Sequence, residues 1–133
     1  MTKKSVKRGP RSTVRIDLMD HDHPDWQRVL ASLKRRGAGE KLMLEDGYLS
    51  ARQTLLVARA GKKVVGHLCF HVEPVGAKWS GLQGSVEARL DALSVHAGFG
   101  KQEVADLLIF AAKKRASVLR CTGVAGLHDA LAV

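Results

Sequence analysis

The side chains able to do chemistry in this 133-residue sequence fall in a few short stretches. Glu87, Arg89 and Asp91 alternate in a run that reads as a strand, so all three share one face, with the arginine between the two carboxylates. Such a row is a salt-linked strand face in which Arg89 pairs with both acids and keeps them ionised. A tight loop, His96 to Lys101, then opens a helical pattern, and a helix N-terminus carries unpaired backbone N–H groups that can hold an anion. His67, Cys69 and His71 also alternate along one strand and are all metal-competent. At ~3.3 Å per residue the two histidines are ~13 Å apart along the backbone, too far to share one zinc on a straight strand. No metal is expected there, and the face is expected to pack half-buried under a helix, with Val64, Gly66, Leu68, Phe70 and Val72 on the opposite face. Asp20-His21-Asp22-His23 is read as a turn and helix cap. No Gly-x-Ser-x-Gly, Walker, zinc-finger or kinase signature is present.

The elements that position these residues follow from periodicity. Thr13–Leu18 alternates with Val14, Ile16 and Leu18 on one side, a first strand. Asp22 or His23 caps a helix with Pro24 at or near its first position, carrying Trp26, Val29, Leu30 and Leu33 as one stripe and ending at Arg35, Arg36 and Gly37. Glu40–Asp46 has the makings of a second short helix. Thr54–Ala60 and Lys63–Val72 form a hairpin about Gly61-Lys62, and a long loop over Glu73–Ser85 leads into a strand, Val86–Val95, completing a three-stranded meander. The next helix, 102–116, has Val104, Leu107, Leu108, Ala111 and Ala112 at core spacing. Ser117–Val124 returns as a strand, parallel to Val86–Val95 because a helix intervenes.

Composition bounds the class. Hydrophobic residues make up 45% and charged residues 26%, ordinary values for one globular domain. With no long apolar run and no apolar segment after the basic start, neither membrane span nor signal peptide is expected, and the chain reads as cytoplasmic. Cys69 and Cys121 read as reduced thiols. The net charge of +9 falls to +4 without Lys3, Lys4, Lys7, Arg8 and Arg11. Residues 1–12 are therefore a disordered basic arm, open to weak nucleic-acid contact, and 13–133 are the domain. Aromatic residues, at 5%, are too few for a base-stacking platform.

The order strand, helix, helix, hairpin, strand, loop, helix, strand resembles the GNAT superfamily of N-acetyltransferases. The resemblance is carried by TLLVARAGKKVVGHLCF, which looks like the family's second and third strands, and by Leu93-Ser94-Val95-His96 leading through the loop into Val104-Ala105-Asp106-Leu107-Leu108. It covers roughly Thr13 to Val124. It implies an α/β (α+β) fold with a mixed, mainly antiparallel sheet of about five strands flanked by helices. It also implies acetyl transfer from acetyl-CoA to an amine on a small molecule or protein. The cofactor would lie against Leu93 and Val95 and at Gly100, Lys101, Gln102, Glu103, Val104 and Ala105. Against the family's Arg/Gln-x-x-Gly-x-Gly/Ala motif only Ala105 matches. Gly100 replaces the basic or amide residue, and Glu103 replaces the central glycine with bulk and a like charge, which Lys101 partly offsets. Glu87 or Asp91 would be the base, and His128 stands where the family often has an acidic tyrosine. After Val124 nine residues follow in place of the family's last helix and two strands, so the domain is either a minimal version of the fold or completed by another chain, a homodimer through an open sheet edge being one such arrangement. A non-catalytic interaction module, binding a protein or nucleic-acid partner, is the alternative.

Overall fold

The computed structural model describes residues 14–75, 85–96 and 100–126. The basic arm, most of the Glu73–Ser85 loop and His128 lie outside them. In chain order the elements are β1 (Val14–Met19), α1 (Trp26–Arg35), a 3-10 turn (Gly39–Lys41), β2 (Leu44–Glu45), β3 (Tyr48–Leu49), β4 (Gln53–Ala60), β5 (Lys63–Val75), β6 (Ser85–Val95), α2 (Lys101–Val118) and β7 (Cys121–Ala125). The main sheet has the order β1-β4-β5-β6-β7, with every pairing antiparallel except β6 with β7. The expected fold class is the one observed, down to the meander β4-β5-β6 and the parallel last strand.

Each sheet face carries its own core. On one side Trp26, Val29, Leu30 and Leu33 of α1 pack on Met19, Leu55, Val57 and Cys69. On the other, Val104, Leu108 and Ala112 of α2 pack on Leu56, Leu68, Phe70 and Ala88. Burying a side chain of leucine or phenylalanine size contributes roughly 1.5–3 kcal/mol, so these two layers hold most of the driving force. Helix α2 lies close to the sheet because β5 has glycine beneath it. A Cβ on Gly66 would stand 2.9 Å from the Ser94 carbonyl oxygen and 3.2 Å from Val104 Cγ1.

Several local expectations are corrected. Helix α1 starts after Asp25, not after Asp22 or His23, and Asp25 makes no side-chain capping bond. Its carboxylate is taken by Arg59, whose Nη1 lies 2.8 Å from Asp25 Oδ2, while Nη2 and Nε reach Asp17 at 2.6 and 2.9 Å. Glu40–Asp46 is not a helix. The Asp46-Gly47 pair, both at positive φ (54° and 83°), makes the tight turn of the β2–β3 hairpin, and Trp26 Nε1–H donates to the Gly47 carbonyl to anchor it on α1. A register shift between Ala58 and Arg59 moves Val64 onto the α1 face and leaves Val65 on the α2 face, where strict alternation would put Val64 beside Leu68. Strand β5 runs on to Val75. Helix α2 runs on to Val118, and β7 starts at Cys121 instead of Ser117, because Arg120 takes the left-handed conformation that ends a helix, without the glycine that would signal it. On α2 the buried stripe is Val104, Leu108, Ile109, Ala112 and Ala116, while Leu107 is exposed, the helix being apolar over a wider arc than the sheet covers.

Arg59 is 2% exposed, and it ties β4 to β1 and to the start of α1. Removing one partner leaves the remaining charge short of its counter-charge, which costs more than replacing the whole set by apolar groups. Asp17→Ala is expected to lower stability by about 3 kcal/mol in urea denaturation, and the triple replacement of Arg59, Asp17 and Asp25 by apolar residues by clearly less.

Candidate functional site

Strand β6 positions the site through an irregularity. Cys69 faces Ala92 and Phe70 faces Leu90, so Asp91 is the extra residue of a β-bulge. The bulge lets Asp91 and Ala92 both serve the α1 face, with Ala92 packed on the α1 core and the Asp91 carboxylate lying across the strands. On its other edge β6 pairs with β7 only from Val86 to Arg89. From Leu90 to Val95 that edge has no β7 partner among the described residues, and α2 begins just beyond it.

Across β4, β5 and β6 a continuous polar row runs over the α1 face. Gln53 Nε2 donates to Asp91 Oδ2 at 2.9 Å and to the Lys41 carbonyl, and its Oε1 accepts from the Met43 amide at 2.7 Å. Both amide hydrogens and the amide oxygen are thus engaged, which pins the segment after α1 to the sheet. His71 Nδ1 lies 2.8 Å from Asp91 Oδ1, and its Nε2 lies 2.6 Å from Glu73 Oε2. Arg89 closes the row, 3.3 Å from Glu73 and 3.2 Å from Glu87. Arg89 therefore bridges Glu73 and Glu87, not the expected Glu87 and Asp91, because the bulge carries Asp91 over to His71.

The electrostatics follow from this geometry. Burial works to lower the His71 pKa, but the hydrogen bonds it donates to Glu73 and Asp91 overcome this and raise the pKa above the ordinary value of 6.5. The hydrogen bond to His71 in turn lowers the pKa of Glu73. Beside this row Cys69 is inert, its thiol pushed up to about 12 by burial and by the nearby Asp91 charge. His67 is 4% exposed, and burial, with His96 nearby, depresses its pKa to about 4. His96 is lowered in the same direction by burial and by Arg36, and both rings keep a buried Nδ1 without a hydrogen-bond partner. Among the described residues no three histidine, cysteine or carboxylate side chains are grouped as metal ligands would be.

At the start of α2, Gly100 is the N-cap and Glu103 stands in the first turn. The Glu103 carboxylate turns back over Gly100 closely enough that a Cβ at Gly100 would collide with it. The nominated residues thus occupy two regions. Leu93 and Val95 lie on the β6 segment without a β7 partner, and Lys101, Gln102, Val104 and Ala105 follow on α2. Glu87 and Asp91 lie lower on β6. Sequence reasoning missed His71 and Gln53 as partners of Asp91. The spacing of His71 and Glu73 on one strand was a usable signal, but the bulge that brings Asp91 to them has no sequence mark.

A scan against protein-family models finds none that matches, and a search of curated proteins finds no match. Solved structures do share the fold. Ribosomal-protein-alanine N-acetyltransferase from Brucella melitensis biovar Abortus 2308 aligns with a TM-score of 0.62 at 18% identity, over 84% of this chain and 77% of its own. Aminoglycoside acetyltransferase meta-AAC0020 from an uncultured soil metagenomic sample, in complex with sisomicin, gives 0.62 at 17% identity, over 85% and 76%. Aminoglycoside N-acetyltransferase AAC(6')-Iy, in complex with CoA, gives 0.55 at 21% identity, over 84% and 76%. The fold is that of the GNAT N-acetyltransferases, as the sequence resemblance implied.

The histidines set opposite pH slopes. The depressed pKa of His67 makes its contribution complete above pH 6.5 and lost as pH falls from 6.5 towards 4, a loss of roughly 3 kcal/mol at full titration. The raised pKa of His71 makes its contribution complete below 6.5 and lost as pH rises through the folded-state value. Urea denaturation across this range is expected to show His67→Gln flattening the acid limb and His71→Gln flattening the alkaline one.

Proposed function

We propose that the domain binds acetyl-CoA along the free edge of β6 and acetylates an amine presented to Asp91. The observation that carries this reading is the coincidence of the Asp91 bulge with the point where β7 pairing ends among the described residues, just before the N-terminus of α2. The residues fit the cofactor along the strand, where the edge of Leu93 and Val95 away from β5, without a strand partner among the described residues, suits an extended, amide-bearing arm. The helix N-terminus suits its pyrophosphate, with Lys101 adding charge of the right sign. Glu103 opposes it there, on the spot where Gly100 leaves room. When bound, acetyl-CoA supplies an activated thioester acyl group.

The chain's own residues would handle the proton. Asp91 binds the incoming ammonium and accepts its proton. His71, donating from Nδ1 to Asp91 and from Nε2 to Glu73, orients the Asp91 carboxylate, which hands the proton on to solvent. Gln53 and the hairpin segment hold Asp91 in place. Glu87, paired with Arg89 and one turn of the pleat below, is the weaker choice of base. His128 remains the acid nominated by the resemblance.

A second reading has its own observation. Helix α2 carries Leu107, Phe110 (63% exposed) and Val118 (68% exposed) among its exposed residues, and β7 is the last strand of the sheet among the described residues. This apolar surface favours an interaction module, with a second copy as partner through the β7 edge.

Titration calorimetry separates the two. Acetyl-CoA is expected to bind, Glu103→Gln to tighten binding about fivefold by removing a like charge, and Asp91→Asn to lower kcat at least a hundredfold with acetyl-CoA affinity unchanged. Absence of heat at millimolar acetyl-CoA, with sedimentation showing a dimer that Phe110→Glu dissociates, would establish the interaction reading instead.

A further inference from the structure

A cavity of about 620 Å³ opens at the opposite end of the sheet from the N-terminus of α2, and the proposed acetyl transfer makes no use of it. It lies where β1 ends and β4 begins, beneath the last turn of α2. Its volume falls within the range of roughly 300–1,000 Å³ typical of small-molecule sites. Apolar walls come from Leu18, Val72 and Leu119, and the polar groups among them are mostly cationic or neutral: Arg52, Arg115 and His21. The one acid, Asp20, is engaged locally, its Oδ1 accepting the Asp22 amide at 2.9 Å. His21 is held at the rim by stacking on Tyr48, ring centroids 4.4 Å apart. The cavity touches the polar row only through Gln53.

Arg115 supplies the observation that points to a ligand. A cation in the last turn of a helix is favourable whatever its role. Its Nε, however, is buried without a hydrogen-bond partner among the described residues, and the side chain lines the cavity. A buried donor left without an acceptor costs roughly 1–3 kcal/mol, so native structures seldom leave one unpaired. We infer that this cavity is a second binding site for an amphiphilic anion, a carboxylate or phosphate monoester on a short alkyl chain, its head accepting from Arg115 and Arg52 and its chain lying against Leu18, Val72 and Leu119.

Four ten-carbon probes differing in the head group test this by calorimetry: decanoate, decyl phosphate, decanol and decyltrimethylammonium. Saturable one-to-one binding is expected for decanoate or decyl phosphate, whichever binds tighter identifying the head, and none for the cation or the alcohol at equal concentration. Arg115→Gln is expected to weaken the anion about tenfold, the loss of one charge-assisted hydrogen bond, and Arg52→Gln to weaken it too, with melting temperatures of the unliganded variants near that of the parent. Binding of decanol as tight as decanoate, unchanged anion affinity in both folded variants, or no binding of either anion at millimolar concentration would each overturn the assignment. Because neither arginine belongs to the acetyl-CoA path, failure here leaves that reading untouched, and failure of acetyl-CoA to bind leaves this one standing.

Discussion

The fold depends on one buried cation. The Arg59 guanidinium lies under α1 with carboxylates from β1 and from the residue before the helix around it, and no other charged group sits so deep among the described core residues. A charge in that position is tolerable only if its partners stay in place, so it fixes three things together: the register of β1 on β4, the starting point of α1, and the angle at which α1 lies over the sheet. Asp25 gives up its capping bond for this contact. The helix start is weakened so that its position is specified.

From that placement the polar row follows. With α1 fixed above Leu55, Val57 and Cys69, the sheet beyond it is left to the segment containing the 3-10 turn and the small hairpin. Gln53 joins that segment to Asp91, and Asp91 joins β6 to β5 through His71. The row is a chain of hydrogen bonds in which each member orients the next, and such networks respond to a single deletion by more than one bond's worth. Buried His67 and half-buried His96, beside the start of β5, behave differently, both having their pKa lowered first by burial and so responding to acid.

Much of the fold was legible in the sequence because most elements were announced by period. The hairpin at Gly61-Lys62, the stripe Trp26, Val29, Leu30 and Leu33, and the strand-helix-strand unit ending in a parallel strand are all direct readings of alternation or of 3.6-residue spacing. What was not legible lay in backbone irregularity. The shift at Ala58/Arg59 and the bulge at Asp91 leave no compositional trace, and they decide which face a residue serves. The end of α2 was misplaced because Arg120 adopts a conformation usually given to glycine. For the candidate site, β6 was named and Asp91 was among its candidates. The hydrogen-bond neighbours of Asp91 were hidden because His71 was read as part of a half-buried strand face and Gln53 sat unremarked at a strand start.

The carboxylate of Glu103, folded over Gly100, is in effect a tethered competitor for whatever reaches that end of α2. A group attached three residues away is present at a local concentration of order millimolar or more, whatever the solution holds. Small free anions meet that competition with nothing else to hold them, whereas a ligand already lying along β6 brings its own tether and competes on equal terms. Under the proposed cofactor path, the residue that opposes a phosphate at that helix end would favour ligands long enough to touch β6 and the helix end at once, a selection by length.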